Sequence, residues 1–191
     1  MSIKFKLEST DGSARAGSLY TPHGHVPTPV FMPVATQGSV KTITPQELKD
    51  LGAKILLGNT YHLHLRPGTD IVQKMGGVGA FMGWSGATLT DSGGFQAYSL
   101  GKQVRISNNG LKFHSHIDGT SHMFTPEQAI SYQKALGADI IMPLDQCIDY
   151  TTNKHIAEEA MERTHMWAER CSRAHSQKKQ MLFGIVQGGV F

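Results

Sequence analysis

The sequence predicts an α/β protein whose core is a parallel β-sheet. Short apolar segments alternate with segments of helical periodicity, and each apolar segment is closed by polar residues or glycine. Strands that alternate with helices in this way form parallel sheets. A hydrophobic share of 39% over 191 residues is sufficient for a packed core.

Five segments are predicted to be buried strands of this sheet. They are residues 29–35, 54–58, 87–90, 139–144 and 182–186. Each is short, apolar and followed by a polar or glycine-rich stop, which is typical of a strand buried on both faces.

Three helices are predicted between these strands. Thr44-Pro45 and Thr125-Pro126 each place a capping threonine before a proline at the first helical position. Gly137 ends the second helix, and a third pattern runs from Asn153 to about Ala174. Its predicted buried side carries Ile156, Ala160, Met161, Thr164 and Trp167.

Two antiparallel hairpins are predicted outside this alternation. Segments 5–8 and 17–20 flank Asp11-Gly12, a hairpin turn signal, at the amino end of the chain. Segment 111–117, which turns at Asp118-Gly119, reads as an inserted hairpin.

Composition excludes several classes of protein. The 18 basic and 15 acidic residues give a net charge of +3, which permits an anionic partner without requiring one. No apolar run approaches the ~20 residues of a membrane span, and the amino end lacks the apolar core of a secretory signal. Two cysteines exclude a disulfide scaffold and a thiolate zinc cluster within this chain. We expect a reduced cytoplasmic protein without membrane association.

The ends of the predicted strands favour a barrel over an open sheet. Four of them lead to a polar side chain that can face a ligand: Asn59, Asp91, Asp145 and Gln187. Barrel enzymes build their sites from several strand ends, whereas an open doubly wound sheet, the alternative, concentrates ligand groups at one switch point. The prediction is a (β/α)8 TIM barrel of which about five of eight strands are found. Residues 1–27 are then an antiparallel preface and residues 28–191 the first βα units of one larger barrel domain.

The segment 91–96 carries the strongest chemical signal. Asp91 follows a strand, Gly93 and Gly94 allow close backbone approach to a ligand, and Phe95 offers a ring for stacking. With Asp145 and an amide at Gln187, this set suits a purine-like base. The alternative for Asp91 is a carboxylate that merely caps the following turn.

The sequence resembles the bacterial tRNA-guanine transglycosylases, also called queuine tRNA-ribosyltransferases, over most of its length. The matching motifs are TPVFMPVAT at 28–36, GNTYHL at 58–63, LRPG at 65–68, FMGW at 81–84, LTDSGGFQ at 89–96, SHIDG at 115–119 and LFGIVQGG at 182–189. The resemblance implies a barrel enzyme that exchanges the wobble guanine of tRNA for a 7-deazaguanine, through a covalent glycosyl-enzyme intermediate.

The resemblance also assigns roles to residues. It implies that Asp91 is the catalytic acid/base and that Asp145 and Gln187 bind the purine edge. Phe95, where the family often has tyrosine, would stack on the base. Ser92 and Asn59 would line the same pocket, and Cys147 weakly favours an aminomethyl-deazaguanine over queuine.

The resemblance further implies what lies outside this chain and what binds it. The family's nucleophilic aspartate and its structural zinc site belong to a carboxy-terminal half beyond residue 191. No metal site and no cofactor are therefore expected here, and the chain alone should not complete the exchange. The implied partners are the tRNA anticodon loop, guanine or a deazaguanine, and a second copy in a homodimer.

Several alternatives remain open. The chain could be a non-catalytic tRNA-binding subunit, an inactive fragment, or an unrelated barrel enzyme such as a flavin oxidoreductase. The H-x-H pairs at His62 and His64 and at His114 and His116 could hold a metal if they lie on strands, although no third ligand is evident. Cys147 could be a reactive thiol or a pocket-lining residue. A basic set is either a phosphate contact or a solvated face: Arg163, Arg170, Arg173, Lys178 and Lys179.

Overall fold

A computed structural model describes residues 4–150 and 152–191. In that part of the chain, strands and helices follow one another in this order: β1 (Lys4–Asp11), β2 (Ala14–Thr21), β3 (Gly24–Thr28), β4 (Val34–Ala35), α1 (Pro45–Asp50), β5 (Ile55–Gly58), α2 (Thr60–Leu65), α3 (Thr69–Lys74), α4 (Val78–Met82), β6 (Ala87–Thr90), α5 (Gly94–Leu100), β7 (Lys102–Ser107), β8 (Gly110–His114), β9 (Ser121–Phe124), α6 (Pro126–Leu136), β10 (Ile140–Ile141), α7 (Lys154–Ala174) and β11 (Met181–Leu182). The protein is a mixed α/β fold.

The central sheet is parallel and contains all five predicted strands. Its strand order is β4-β5-β6-β10-β11. Each strand therefore pairs with the next strand of this same sheet in chain order, and the order never reverses. Three strands are shorter than predicted. Pro33 directly precedes β4 and Pro143 closely follows β10. Because proline has no N–H to donate to a ladder, it limits regular pairing at these two places.

The two faces of the central sheet bury different partners. On one face, Ile55 and Leu89 pack against Leu19 and Val26 of the β1-β2-β3 sheet, in a cluster whose described members include no helical residue. On the other face, Ile141 packs in a cluster with Trp167 of α7 and other helical residues. The helices therefore cover one face and the amino-terminal sheet covers part of the other.

The amino-terminal hairpin is confirmed and extended. β1 and β2 pair antiparallel across the turn at Asp11-Gly12, and β3 adds a third strand beside β2. His23, in the turn between β2 and β3, places its Nδ1 2.8 Å from Oδ1 of the buried Asp139. The other Asp139 oxygen accepts a hydrogen bond from the Thr88 N–H at 2.8 Å. These contacts tie the small sheet to the amino ends of β6 and β10.

The insertion between α5 and α6 is a three-stranded antiparallel sheet rather than a hairpin. β8 is central, with β7 and β9 on either side. The predicted turn at Asp118-Gly119 is confirmed, because Gly119 N–H donates to the Ser115 carbonyl at 2.9 Å. The strand before this turn ends at His114, so residues 115–117 belong to the turn.

The three predicted helices begin and end as their capping residues indicate. Thr44 and Thr125 each form a reciprocal capping box, with Glu47 and Gln128 respectively. The long helix α7 buries one face, which consists of Ala157, Ala160, Thr164, Trp167 and Cys171. The prediction for Ile156 was wrong: its side chain is 46% exposed, since the buried face lies one position further along the helix. Within residues 4–150 and 152–191, no helix has the length and apolar character needed to cross a membrane.

Candidate functional site

The register of the central sheet brings the predicted site residues to one edge. Gly58 pairs with Thr90 at the carboxyl ends of β5 and β6, and Asn59 and Asp91 follow them directly. Parallel strands end at the same edge of a sheet, so these two side chains meet there. Loops that follow β10 and β11 bring further predicted residues to this edge.

The carboxylate of Asp91 is held by four donors. Asn59 Nδ2 and Gln96 Nε2, the latter at 3.1 Å, donate to Oδ2. The backbone N–H groups of Thr60 and Gly93 donate to Oδ1 at 2.9 and 3.1 Å. Burial raises the pKa of Asp91 above its ordinary value, and the four hydrogen bonds, which favour the carboxylate, offset only part of that rise. Asp91 is thus a fixed carboxyl group with an elevated proton affinity.

Two glycines allow the segment after Asp91 to pack against its neighbours. Gly93 has φ +80°, and a Cβ there would lie 2.8 Å from the Phe124 ring and 3.0 Å from the Tyr61 nitrogen. A Cβ on Gly94 would lie 2.9 Å from the Asp145 carbonyl oxygen. A side chain at position 94 would push this segment away from Asp145, and one at position 93 would collide with Phe124 and with the backbone of α2.

Asp145 forms the second half of the site. It is only 6% exposed, and its Oδ1 accepts a hydrogen bond from Ser92 Oγ at 3.2 Å. Its Oδ2 accepts from Gln187 Nε2 at 2.8 Å and from the Cys147 thiol at 3.5 Å. Because Ser92 is bonded to Asp91 in the chain, the two carboxylates belong to one continuous polar cluster.

Phe95 stands beside this cluster with an available ring. It lies in the first turn of α5 and is 58% exposed. A large apolar side chain that remains exposed next to two anchored carboxylates offers a surface on which a flat ligand can stack. Hydrogen bonds and the peptide link between Asp91 and Ser92 thus connect five of the predicted site residues, namely Asn59, Asp91, Ser92, Asp145 and Gln187, and Phe95 lies on the adjoining helix. Their individual roles stay predictions.

Cys147 is a thiol at neutral pH. Burial and the neighbouring Asp145 carboxylate raise its pKa to about 12. A thiol reacts as a nucleophile only when it is deprotonated. Of the two alternatives for this residue, the pocket-lining one fits the structure.

Sequence reasoning did not assign a role to two residues beside Asp91. Thr60 donates its backbone N–H to the Asp91 side chain and its hydroxyl to the Asp91 carbonyl at 2.5 Å. Gln96 donates to Asp91, while its own Oε1 is buried and has no partner in the described part of the chain. Their sequence positions could have indicated them, because Thr60 directly follows the predicted site residue Asn59 and Gln96 directly follows Phe95.

The H-x-H pairs do not form metal sites. His62 and His64 lie on α2, not on a strand, so their side chains point to different sides. His62 packs edge-on against His116, and His64 Nε2 lies 3.2 Å from His122 Nδ1. Among the described residues, no three His, Cys, Asp or Glu side chains are grouped to hold a metal. The zinc that the resemblance implies therefore does not fit the donor sets of residues 4–150 and 152–191.

The basic residues of α7 are largely engaged within the molecule. Arg163 donates to Asn108 and Gln146, Arg170 pairs with Glu127, and Arg173 pairs with Glu169. Two of these arginines, Arg170 and Arg173, are therefore paired with carboxylates, whereas Arg163 contacts neutral amides and keeps its full charge.

Comparison with known proteins gives consistent matches along the chain. The family model described as Queuine tRNA-ribosyltransferase matches residues 10–191. Proteins with that name from Desulforamulus reducens and Pelotomaculum thermopropionicum are each 54% identical, over 193 and 189 residues. A third, from Aquifex aeolicus, is 49% identical over 194 residues. The alignments cover 100%, 99% and 97% of this chain but 52%, 50% and 51% of those proteins. The chain spans about half the length of the curated relatives it matches.

Proposed function

The chain belongs to the queuine tRNA-ribosyltransferase family, and we therefore propose that it carries the base-binding site of a tRNA-guanine transglycosylase. In this proposal a protein that contains the chain exchanges the wobble guanine of tRNA for a 7-deazaguanine. The observation that carries the proposal is the cluster of Asp91, Ser92, Asp145 and Gln187 beside the exposed ring of Phe95.

The second half of this cluster complements the edge of guanine. Guanine presents an N2 amino donor and an O6 acceptor. The Asp145 carboxylate accepts hydrogen bonds, and the Gln187 amide nitrogen, now 2.8 Å from Asp145 Oδ2, is a donor. A guanine between these groups would donate a hydrogen bond from its N2 amino group to Asp145 and accept one at O6 from Gln187, while Phe95 stacks on its face. Gln96 Oε1, buried and unpartnered within the described residues, is a further acceptor for a base N–H.

Asp91 is proposed as the acid/base of the exchange. A departing guanine must gain a proton, and an incoming base must lose one. A half-buried carboxyl group with a raised pKa holds a proton more readily than an exposed aspartate does. Asn59 completes the set by donating to the same carboxylate.

The bond changes also require a nucleophile. An attacking carboxylate forms a bond to the anomeric carbon of the ribose as the bond to guanine breaks. The incoming base then displaces that carboxylate, much as in retaining glycosidases. Cys147 is a poor nucleophile at neutral pH, and Asp91 is reserved for proton transfer. As the resemblance to the family implies, we propose that the nucleophilic aspartate and the structural zinc site lie outside these 191 residues.

We also propose that the central sheet is part of a (β/α)8 barrel. The strand order follows the chain without reversal, and the helical clusters lie on the face opposite the amino-terminal sheet. Apolar side chains next to β4 are exposed, with Phe31 at 81% and Val34 at 49%, as expected where another strand and helix pack. Residues 1–27 remain the preface and 28–191 the first βα units. The homodimer, the tRNA anticodon loop as partner and the cytoplasm as location remain predictions.

Calorimetric titration of the chain with guanine tests base binding. We expect the unaltered chain to bind guanine and Asp145→Asn to bind it about 10- to 100-fold more weakly, because a charge-assisted hydrogen bond is lost. Asp50→Asn is the matched control, since it makes the same change at an exposed position on α1 and should leave the affinity unchanged. Absence of guanine binding by the unaltered chain would contradict the proposal.

A chimera tests the exchange itself. It joins this chain to the remaining half of the 54% identical Desulforamulus reducens relative. We expect the chimera to incorporate labelled guanine into tRNA and Asp91→Asn to abolish this incorporation. Incorporation by that variant at the rate of the unaltered chimera would remove Asp91 from its proposed role. If the chimera binds tRNA and guanine without exchange, the alternative of a non-catalytic tRNA-binding subunit gains support.

A further inference from the structure

Helix α7 holds the residue that follows Asp145 by both its main chain and its side chain. The Gln146 N–H donates to Thr164 Oγ1 at 3.0 Å. Arg163 Nη1 donates to the Gln146 side-chain oxygen, Oε1. Thr164 is fully buried and donates its own hydroxyl proton to the Ala160 carbonyl at 2.9 Å, so this anchor is fixed within the helix.

Arg163 has a second contact, in the turn between β7 and β8. Its Nε donates to Asn108 Oδ1 at 3.0 Å. The Asn108 carbonyl also accepts from Trp167 Nε1 and from Arg170 Nη1, both at 2.9 Å. The turn is thus held by α7 even without Arg163, whereas Arg163 is the donor to the Gln146 side chain within residues 4–150 and 152–191.

This arrangement matters when a base binds. Asp145 is oriented by hydrogen bonds from Ser92, Gln187 and Cys147 and by the position of its own main chain. A base that pairs with both Asp145 and Gln187 displaces the hydrogen bond between them. The carboxylate is then held by Ser92, by the Cys147 thiol and by the anchored main chain of Gln146.

We propose that Arg163 is a positioning residue for base binding, which acts through Gln146 to hold Asp145 in place. The inference rests on the proposed function, because it takes Asp145 as a ligand of the purine edge. Arg163 does not touch the base itself. Its contribution is preorganisation: it reduces the conformational freedom that the 145–147 loop would lose on binding.

Calorimetric titration of variants with guanine tests this. We expect Arg163→Ala and Gln146→Ala each to weaken binding about 5- to 50-fold, and the double variant to be no weaker than either, because both remove the same contact. Arg163→Lys keeps a donor for Gln146 and should recover part of the lost affinity. Arg170→Ala is the matched control on the same helix: it loses the Asn108 and Glu127 contacts and should lower the urea midpoint while guanine affinity stays within about 2-fold.

The possible outcomes separate this inference from the proposed function. If the unaltered chain fails to bind guanine, the proposed function fails and the role of Arg163 fails with it. If the unaltered chain binds guanine and Arg163→Ala binds it equally well, only the role of Arg163 is overturned. Additive losses in the double variant would also overturn it, since Arg163 would then act by a route other than Gln146. Gln146→Ala, which alters a loop side chain, keeps the test decisive if Arg163→Ala does not fold.

Discussion

Gln133 is expected to be among the most sensitive polar positions in the core. It is fully buried on α6, and its Oε1 accepts from the Met142 N–H at 2.9 Å and from the Thr90 hydroxyl at 3.2 Å. Its Nε2 donates to the Met142 carbonyl at 2.8 Å. One side chain therefore satisfies three polar groups where β6 and β10 end. Gln133→Leu keeps a similar volume and leaves all three without this partner.

The cost follows from these contacts. Each buried polar group left unpaired costs about 1–3 kcal/mol, so three of them outweigh the gain from an added apolar side chain. We expect Gln133→Leu to lower the free energy of unfolding by about 3 kcal/mol or more, and the urea midpoint by about 1–2 M. Urea unfolding followed by the fluorescence of the buried tryptophans, Trp84 and Trp167, measures this directly.

Gln46→Leu is the control for this experiment. Gln46 is exposed on α1, where its side chain donates to Asp50, so the change should stay within about 0.5 kcal/mol. Equal effects at the two positions would refute the reasoning, because the buried amide would then contribute no more than a surface side chain.

Two further predictions concern titration. Arg170 lowers the pKa of Glu127 from its ordinary 4.5 to about 2, so the stability from this pair is complete above pH 4.5 and is lost as the pH falls towards 2. Glu127 is half exposed, which limits this contribution to the free energy of unfolding to below about 1 kcal/mol. Glu127→Gln should therefore reduce the drop in urea midpoint that acid causes. An unchanged drop would contradict the assignment. The pKa of Cys147 is raised to about 12 in the folded chain. At about pH 8 this thiol should therefore react with iodoacetamide far more slowly in the folded chain than in urea, where it is unfolded. Equal rates would show that Cys147 is a reactive thiol.

The central sheet was predictable because its signals are local. Each strand is an apolar run closed by a polar stop, and α1, α6 and α7 each begin at a capping side chain. The short helices α2 to α5 were not predicted, because they have no side-chain cap and are too short to display a helical period. β7 was missed for a related reason: its sequence, KQVRIS, is mostly polar, and it exists by pairing with β8.

The candidate site was predictable in composition but not in its connections. Asp91 and Asp145 stand out because a carboxylate follows an apolar strand in each case. The bond from Arg163 to Gln146 has no counterpart in the sequence pattern, since both residues are ordinary polar side chains 17 positions apart. Such a pair becomes visible only when the path of the loop and the rotation of α7 are known.

The agreement between chain order and strand order has a consequence for synthesis. β5 pairs with β4, β6 with β5, β10 with β6 and β11 with β10, so each of these four strands is synthesised after its partner. Leu19 and Val26 of the amino-terminal sheet are translated before the central sheet. They provide the apolar surface against which Ile55, Leu89 and Ile140 later pack. Partner strands are nevertheless far apart in sequence, as Leu89 of β6 and Ile140 of β10 are, so each addition closes a long loop and is expected to be slow. At each stage the last strand added forms one edge of the central sheet, and the next strand of that sheet covers this edge when it pairs.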